Sequence, residues 1–218
     1  IGFRLNPNVD AKTHKKISTG KAENKFGVSI KNFSSFYKGI KKFKYLNINA
    51  VSVHIGSQIL SDAPYKKTLD VLSKVIRNLD IKLKYVDLGG GFGIKYNKKD
   101  KLVNLSNYAK LVYNFKKKIN CNIIFEPGRS LVGNTGILVS KIQYIKKGLN
   151  KNFIIIDAGM NDFMRTALYD AHHDIVPIIK TGKNNQESVE FVGPICETTC
   201  KFTQYKKYQK IKEGDFVA

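Results

Sequence analysis

His54-Ile55-Gly56-Ser57-Gln58, Asp87-Leu88-Gly89-Gly90-Gly91-Phe92-Gly93 and Glu126-Pro127-Gly128-Arg129 each close a short apolar run, at residues 51–55, 85–88 and 122–125. These runs have the length and the β-branched or aromatic content of strands. Gly2–Asn6 reads as a further strand, ending at Pro7. Helical periods lie between them. Residues 34–45 carry Phe36, Ile40 and Phe43 on one face. Residues 63–79 step through Tyr65, Leu69, Leu72, Ile76 and Leu79 by threes and fours, with Ser61 or Asp62 as cap and Pro64 in the first turn. Tyr108, Leu111, Val112, Phe115 and Ile119 mark a third helix. Four strand-then-helix steps predict parallel strands joined by right-handed crossovers. Four strands cannot close a (β/α)8 barrel, which takes eight strands and about 250 residues. The segment is therefore either a small open α/β sheet or half of such a barrel.

The pattern changes after Gly133. Residues 137–145, 153–156 and 189–192 read as strands with no long helix between them, and residues 182–185 as a turn. Residues 201–212, rich in Lys and Tyr, read as a polar insertion or loop. Asp215-Phe216-Val217-Ala218 reads as the inside of another strand. The expected division is residues 1–133 as an α/β domain and 134–218 as an incomplete β domain.

The formal charge of +21 suggests nucleic acid or an anionic membrane as partner. Its distribution argues against both. Of 38 basic residues, all but Arg4, Arg77, Arg129 and Arg165 are lysines, spread along the chain rather than gathered in one arm. A solvated Lys-rich surface, with the Lys, Asn and Ile usage of an AT-rich coding bias, is the favoured reading; a basic nucleic-acid-binding domain is the non-enzymatic rival. No apolar run approaches the ~18 residues of a membrane span. No basic-then-apolar leader is visible, though an address encoded upstream of Ile1 would not be. Cys121, Cys196 and Cys200 form no disulfide framework, which points to a reducing cytoplasm. A C-x3-C pair without a second ligand pair, and adjacent His172 and His173, argue against a metal site.

Each motif has a plain alternative. Gly89–Gly93 lacks the third glycine of a Rossmann fingerprint and the Lys-Ser/Thr of a P-loop. It is either a tight strand-to-helix turn or a place where backbone N–H groups approach a phosphate. Glu126 and Arg129 are either a surface pair at a turn or, respectively, a carboxylate beneath a protonated ring nitrogen and part of a phosphate turn with Gly128. His54 is either a hydrogen-bonded core residue or a ring that stacks on a cofactor, with the Ser57 hydroxyl near its phosphate. Arg165 is either paired with Asp162 or Asp170 or a bidentate carboxylate binder. Cys196, beside Glu197 after Gly193-Pro194, is either a small packing residue or a proton donor.

Together with Phe3–Pro7, Ile17–Gly20 and Glu23–Gly27, these motifs resemble the diaminopimelate decarboxylase family over essentially the whole chain. That family lies within the pyridoxal 5′-phosphate (PLP) decarboxylases of the alanine-racemase-like barrel group. Ornithine and arginine decarboxylases share the His, Gly-rich and Glu-Pro-Gly-Arg motifs. The segment Arg165 to Tyr169 followed by Pro194-Ile195-Cys196-Glu197 is more particular to the diaminopimelate branch. The resemblance implies the second half of a PLP-binding (β/α)8 TIM barrel followed by part of a C-terminal β domain.

It further implies decarboxylation of meso-2,6-diaminopimelate to L-lysine and CO2. A related ornithine, arginine or carboxynorspermidine decarboxylase is the enzymatic alternative. By this resemblance His54, Ser57, Gly90, Gly91, Glu126, Pro127, Gly128 and Arg129 hold PLP. Arg129, Arg165 and Tyr169 take the distal carboxylate, and Glu197 the distal ammonium. Cys196 and His54 are the candidate catalytic groups, Cys196 as proton donor. The Cys and Glu of the family reach into a partner subunit, so a homodimer is implied. No Tyr-Ala-x-Lys-Ala-like segment supplies the family's Schiff-base lysine, so an isolated piece of this extent is expected to be inactive. Cys200 stands where the family usually has Asp, which puts the geometry of that loop in question.

Overall fold

Strands ending in Asn6, Ser52, Asp87 and Ile124 lie side by side and point the same way in a computed structural model that describes residues 1–79, 81–180 and 186–218. The expected turn at residues 182–185 falls outside the described residues. The chain divides into two compact units, Ile1–Lys95 with Lys99–Thr135, and Tyr96–Lys98 with Gly136–Ala218.

The first unit contains β1 (Gly2–Asn6), β2 (Val28–Ser29), α1 (Ile30–Ile40), β3 (Ala50–Ser52), α2 (Ala63–Asn78), β4 (Tyr85–Asp87), α3 (Leu105–Ile119), β5 (Asn122–Ile124) and α4 (Arg129–Val132). Its sheet runs β2-β1-β3-β4-β5, parallel throughout, as the alternation of strand and helix predicts. Val51 and Val86 are fully buried in its centre, and the α2 stripe Tyr65, Leu69, Leu72 and Ile76 packs into the same core with Tyr108, Val112 and Phe115 of α3. Asn104 caps α3, its side chain accepting from the Asn107 N–H at 3.0 Å, and left-handed Asn120 closes the helix. Asp62 holds the N-cap position of α2 but makes no side-chain cap bond; Pro64 opens the helix as expected.

The first helix is residues 30–40, not 34–45. Its register puts Phe33 in the core and Phe36 against Phe3, ring centroids 5.1 Å apart. Gly39 precedes the helix end, and Phe43 lies beyond it, 61% exposed. Phe36 and Ile40 share the inward side of the helix with Phe33 as expected, and only Phe43 falls outside it. Strand β2 was unforeseen because two residues carry no period.

The second unit contains β6 (Ser140–Lys146), β7 (Asn152–Ile156), α5 (Arg165–Tyr169), β8 (Gln186–Val192), β9 (Lys201–Gln209) and β10 (Phe216–Val217). Its mixed sheet runs β10-β6-β7-β8-β9, with β7 and β8 parallel and the other pairs antiparallel. Ile142, Ile154, Ile156, Val189, Phe191, Tyr208 and Val217 form its core. Residues 201–209 are a strand, not the loop that their Lys content suggested. Two bulges against β8 add a residue each to β9, so the buried side switches phase between Thr203 and Tyr208. That broken period hid the strand. No helix among the described residues is long and apolar enough to cross a membrane.

Truncating fully buried Leu72 to Ala in the whole protein is expected to cost about 2–5 kcal/mol in denaturant unfolding. Truncating Phe43 to Ala should cost under about 0.5 kcal/mol, because its ring is largely exposed.

Candidate functional site

Parallel strands deliver their C-terminal ends to one edge of the sheet, the edge where α/β folds place ligands. Beyond β3 comes His54, beyond β4 Gly89–Gly91, and beyond β5 Glu126–Arg129. These loops touch through backbone. Gly89 and Gly91 have φ of +64° and +96°. A Cβ at Gly89 would run into the Val53 carbonyl oxygen, at Gly90 into that of Glu126, and at Gly91 into that of Gly56. The Glu126 N–H also donates to Gly89 O at 2.8 Å, and the Tyr65 hydroxyl to Gly90 O at 3.2 Å. The glycines therefore do what both alternatives require: they make a tight turn and bring three loops into backbone contact.

His54 is held at both ends. Its carbonyl accepts from Thr19 Oγ1 at 2.6 Å and from the Arg4 guanidinium at 3.3 Å. Its ring Nδ1 accepts from the Gly90 N–H at 3.3 Å, which puts the proton of the neutral ring on Nε2. Burial and then the Arg4 charge lower its pKa, with Glu126 and Asp87 opposing. The imidazole is thus neutral and fixed in tautomer, suited to lying against an aromatic ring. Asn6, buried at the end of β1, donates to Lys21 O at 2.6 Å and Phe26 O at 3.3 Å, and so fixes the loop of residues 21–27 beside this edge.

Gly128 is the N-cap of α4, and a Cβ there would meet open space. Glu126 is exposed at the same turn. Arg129 donates from Nη1 to Gln58 Oε1, a side chain of the β3 loop, at 3.0 Å. Ser57 is half-buried in that loop, its N–H donating to Ile17 O at 3.2 Å. A neutral imidazole, a hydroxyl, a carboxylate, a guanidinium and glycine backbone at one edge fit a PLP-sized anionic heterocycle, and the open space before Gly128 leaves room for it.

In the second unit, Arg165 opens α5. Nε donates to His173 Nε2 at 3.2 Å and Nη2 to the Tyr96 hydroxyl at 3.2 Å, with the Tyr96 and Tyr169 rings 5.5 and 5.7 Å from the guanidinium carbon. The expected alternative partners do not take it up. Asp162 accepts from the Gly159 N–H at 2.8 Å, and Asp170 is the left-handed C-cap of α5. Among the described residues no carboxylate pairs with Arg165, and its charge is oriented by neutral groups.

Cys196 and Glu197 are exposed on the connection between β8 and β9. Gly193 N–H donates to Cys200 O and Cys200 N–H to Glu197 O, both at 2.9 Å. The buried Cys200 thiol packs onto Gly193, so a small apolar side chain closes the loop at this position. A groove of about 540 Å³, lined by Met160, Met164, Leu168, Ile195 and Glu197 among others, adjoins it.

Sequence reasoning gave no role to Asn6, Thr19, Gln58, Tyr65, Tyr96 or His173. Tyr65, Tyr96 and His173 lie outside the quoted motifs; Asn6, Thr19 and Gln58 lie inside them but carry no titratable group.

Residues 1–133 match the family described as pyridoxal-dependent decarboxylase, pyridoxal binding domain. The diaminopimelate decarboxylase of Aquifex aeolicus is 39% identical over all of this chain and 52% of its own length. That of Haemophilus influenzae is 41% identical over all of this chain and 53% of its own. The crystal structure of the Helicobacter pylori diaminopimelate decarboxylase complexed with L-lysine superposes with a TM-score of 0.91, at 39% identity, covering all of this chain and 54% of that one. This chain spans about half the length of the relatives it matches. Its parallel α/β unit and mixed sheet are those of PLP decarboxylases with the barrel fold.

The depressed His54 pKa means that the native state binds this proton less readily than the unfolded chain. Stability is expected to fall as pH drops below 6.5 toward the lower native value. Denaturant midpoints measured across that window should fall less steeply for His54→Gln.

Proposed function

Because this chain belongs to the pyridoxal-dependent decarboxylase family, we propose that the protein decarboxylates meso-2,6-diaminopimelate to L-lysine and CO2 with PLP as cofactor. The observation that carries this reading is the convergence of the His54, Gly89–Gly91 and Glu126–Arg129 loops at one sheet edge. The names of the relatives, and the L-lysine complex of the Helicobacter enzyme, favour diaminopimelate within the family.

Bound PLP supplies a cationic ring that takes up the electron pair left when CO2 departs. In this reading Glu126 keeps the ring nitrogen protonated, because a carboxylate there favours the charged form. Neutral His54 would hold the ring by packing on it, without adding a second positive charge. Ser57, Gly90, Gly91 and the Pro127–Gly128–Arg129 turn hold the phosphate end. Arg165, already oriented by His173 and Tyr96, binds the distal carboxylate with Tyr169 and Arg129. Glu197 binds the distal ammonium, and Cys196 delivers a proton to the carbon that CO2 leaves.

Both Cys196 and Glu197 are exposed beside an apolar groove, which supports a homodimer in which they serve a partner subunit's site. The three free cysteines support a reducing cytoplasmic setting. The domain division proposed is residues 1–133 for cofactor binding and 134–218 for the β domain.

The complete enzyme with PLP is expected to release CO2 from meso-diaminopimelate in preference to ornithine, arginine, lysine and carboxynorspermidine. Preference for any of those would overturn the substrate. Arg165→Lys keeps the charge but loses the planar fork, and should raise KM for meso-diaminopimelate about tenfold.

A further inference from the structure

We propose that Gln58 is the positioning residue of this site: one side-chain amide ties the β3 loop to the glycine-rich loop and sets the direction of Arg129. This rests on the reading of Arg129 as a substrate-carboxylate and phosphate ligand. Gln58 Nε2 donates to Ile94 O at 2.6 Å, and the Ile94 N–H donates back to Gln58 Oε1 at 3.2 Å. The same oxygen accepts from Arg129 Nη1 at 3.0 Å. Both lone pairs of Oε1 are thereby used.

The backbone is arranged for this. Gln58 has φ of +59°, a conformation that glutamine rarely adopts. Next to it, Ile59 N–H donates to Gly91 O at 2.9 Å and Gly93 N–H to Ile59 O at 3.0 Å. A short parallel pairing thus runs along residues 59 and 91–93, and the Gln58 amide extends it by imitating one more peptide group. A Cβ at Gly93 would lie 3.1 Å from both Cδ and Oε1 of Gln58, tighter than an ordinary contact. The absence of that atom lets the amide lie against the backbone. Left-handed backbone at a non-glycine residue costs about 1–3 kcal/mol and persists where the surroundings fix it. Here three hydrogen bonds do so.

An amide is needed for all three bonds at once. A carboxylate can accept from Arg129 and from the Ile94 N–H, but cannot donate to the Ile94 carbonyl. A leucine can do none of these. A guanidinium that loses an acceptor regains rotamer freedom, which it must give up each time it binds an anion, and fixing it beforehand lowers that cost.

The test uses the complete enzyme as wild type, Gln58→Leu and Gln58→Glu. It reads the Ile94 amide exchange rate in cofactor-free protein, and KM and kcat for meso-diaminopimelate in the holoenzyme. Gln58→Leu is expected to speed Ile94 exchange about tenfold or more and to raise KM about tenfold, with a smaller change in kcat. Gln58→Glu should keep both Ile94 exchange and KM within about threefold of wild type, because its carboxylate still accepts from the Ile94 N–H and from Arg129.

Wild-type exchange and KM in Gln58→Leu overturn the proposal, as does an equal rise of KM in both variants. If Gln58→Leu does not fold, Gln58→Met, of similar length but without an amide, takes its place: faster Ile94 exchange with raised KM supports the proposal, and any other pairing overturns it. If wild type does not turn over meso-diaminopimelate, the substrate reading fails separately. Ile94 exchange still decides the tie to the glycine-rich loop, supporting it when faster in Gln58→Leu than in wild type and overturning it when unchanged.

Discussion

Everything at the functional edge depends on how closely three loops approach through their backbones. Gly89, Gly90 and Gly91 each sit where a Cβ would strike a carbonyl oxygen of a neighbouring loop, those of Val53, Glu126 and Gly56. Interiors are packed too densely for such contacts to be relieved by small shifts. The glycines therefore set the spacing of the β3, β4 and β5 loops, and with it the distance at which His54, Ser57, Glu126 and Arg129 face one another. The parallel sheet supplies direction; the glycine contacts supply separation. Rigid placement of this kind is what a cofactor site needs, since small displacements of binding groups are costly to rate.

A second regularity is that neutral groups orient the charged ones. Gln58 holds Arg129, while His173 and Tyr96 hold Arg165. Among the described residues no carboxylate pairs with Arg165, so it keeps its attraction for an anion while its direction is fixed. His54 follows the same logic from the other side. Its ring is kept neutral by burial and by Arg4, and the Gly90 N–H holds its tautomer. A positively charged imidazole would compete with a protonated cofactor ring for the nearby carboxylate.

Much of the fold was legible because the first unit is built from strong local signals. The α2 stripe from Tyr65 to Ile76 has an unbroken helical period, and strands 2–6, 85–88 and 122–125 end in residues that cannot continue them. What escaped had weak or interrupted periods. The first helix was misplaced because Phe33 and Phe43 compete as anchors, and packing against the core selects Phe33. The last long strand was hidden by two bulges and by lysines on its outer side. In the site, charged and glycine residues announced themselves, whereas the amide, hydroxyl and imidazole groups that orient them did not. Gln58, Thr19 and His173 act through side-chain hydrogen bonds that no spacing rule encodes.

The central claim is that the loops after β3, β4 and β5 form one cofactor cradle. A crystal structure of the complete protein grown with PLP tests it most directly. The account predicts phosphate density against Ser57, Gly90–Gly91 and the Gly128–Arg129 turn, with the ring between His54 and Glu126. Density for PLP elsewhere, or a ring nitrogen facing a group other than Glu126, would contradict it.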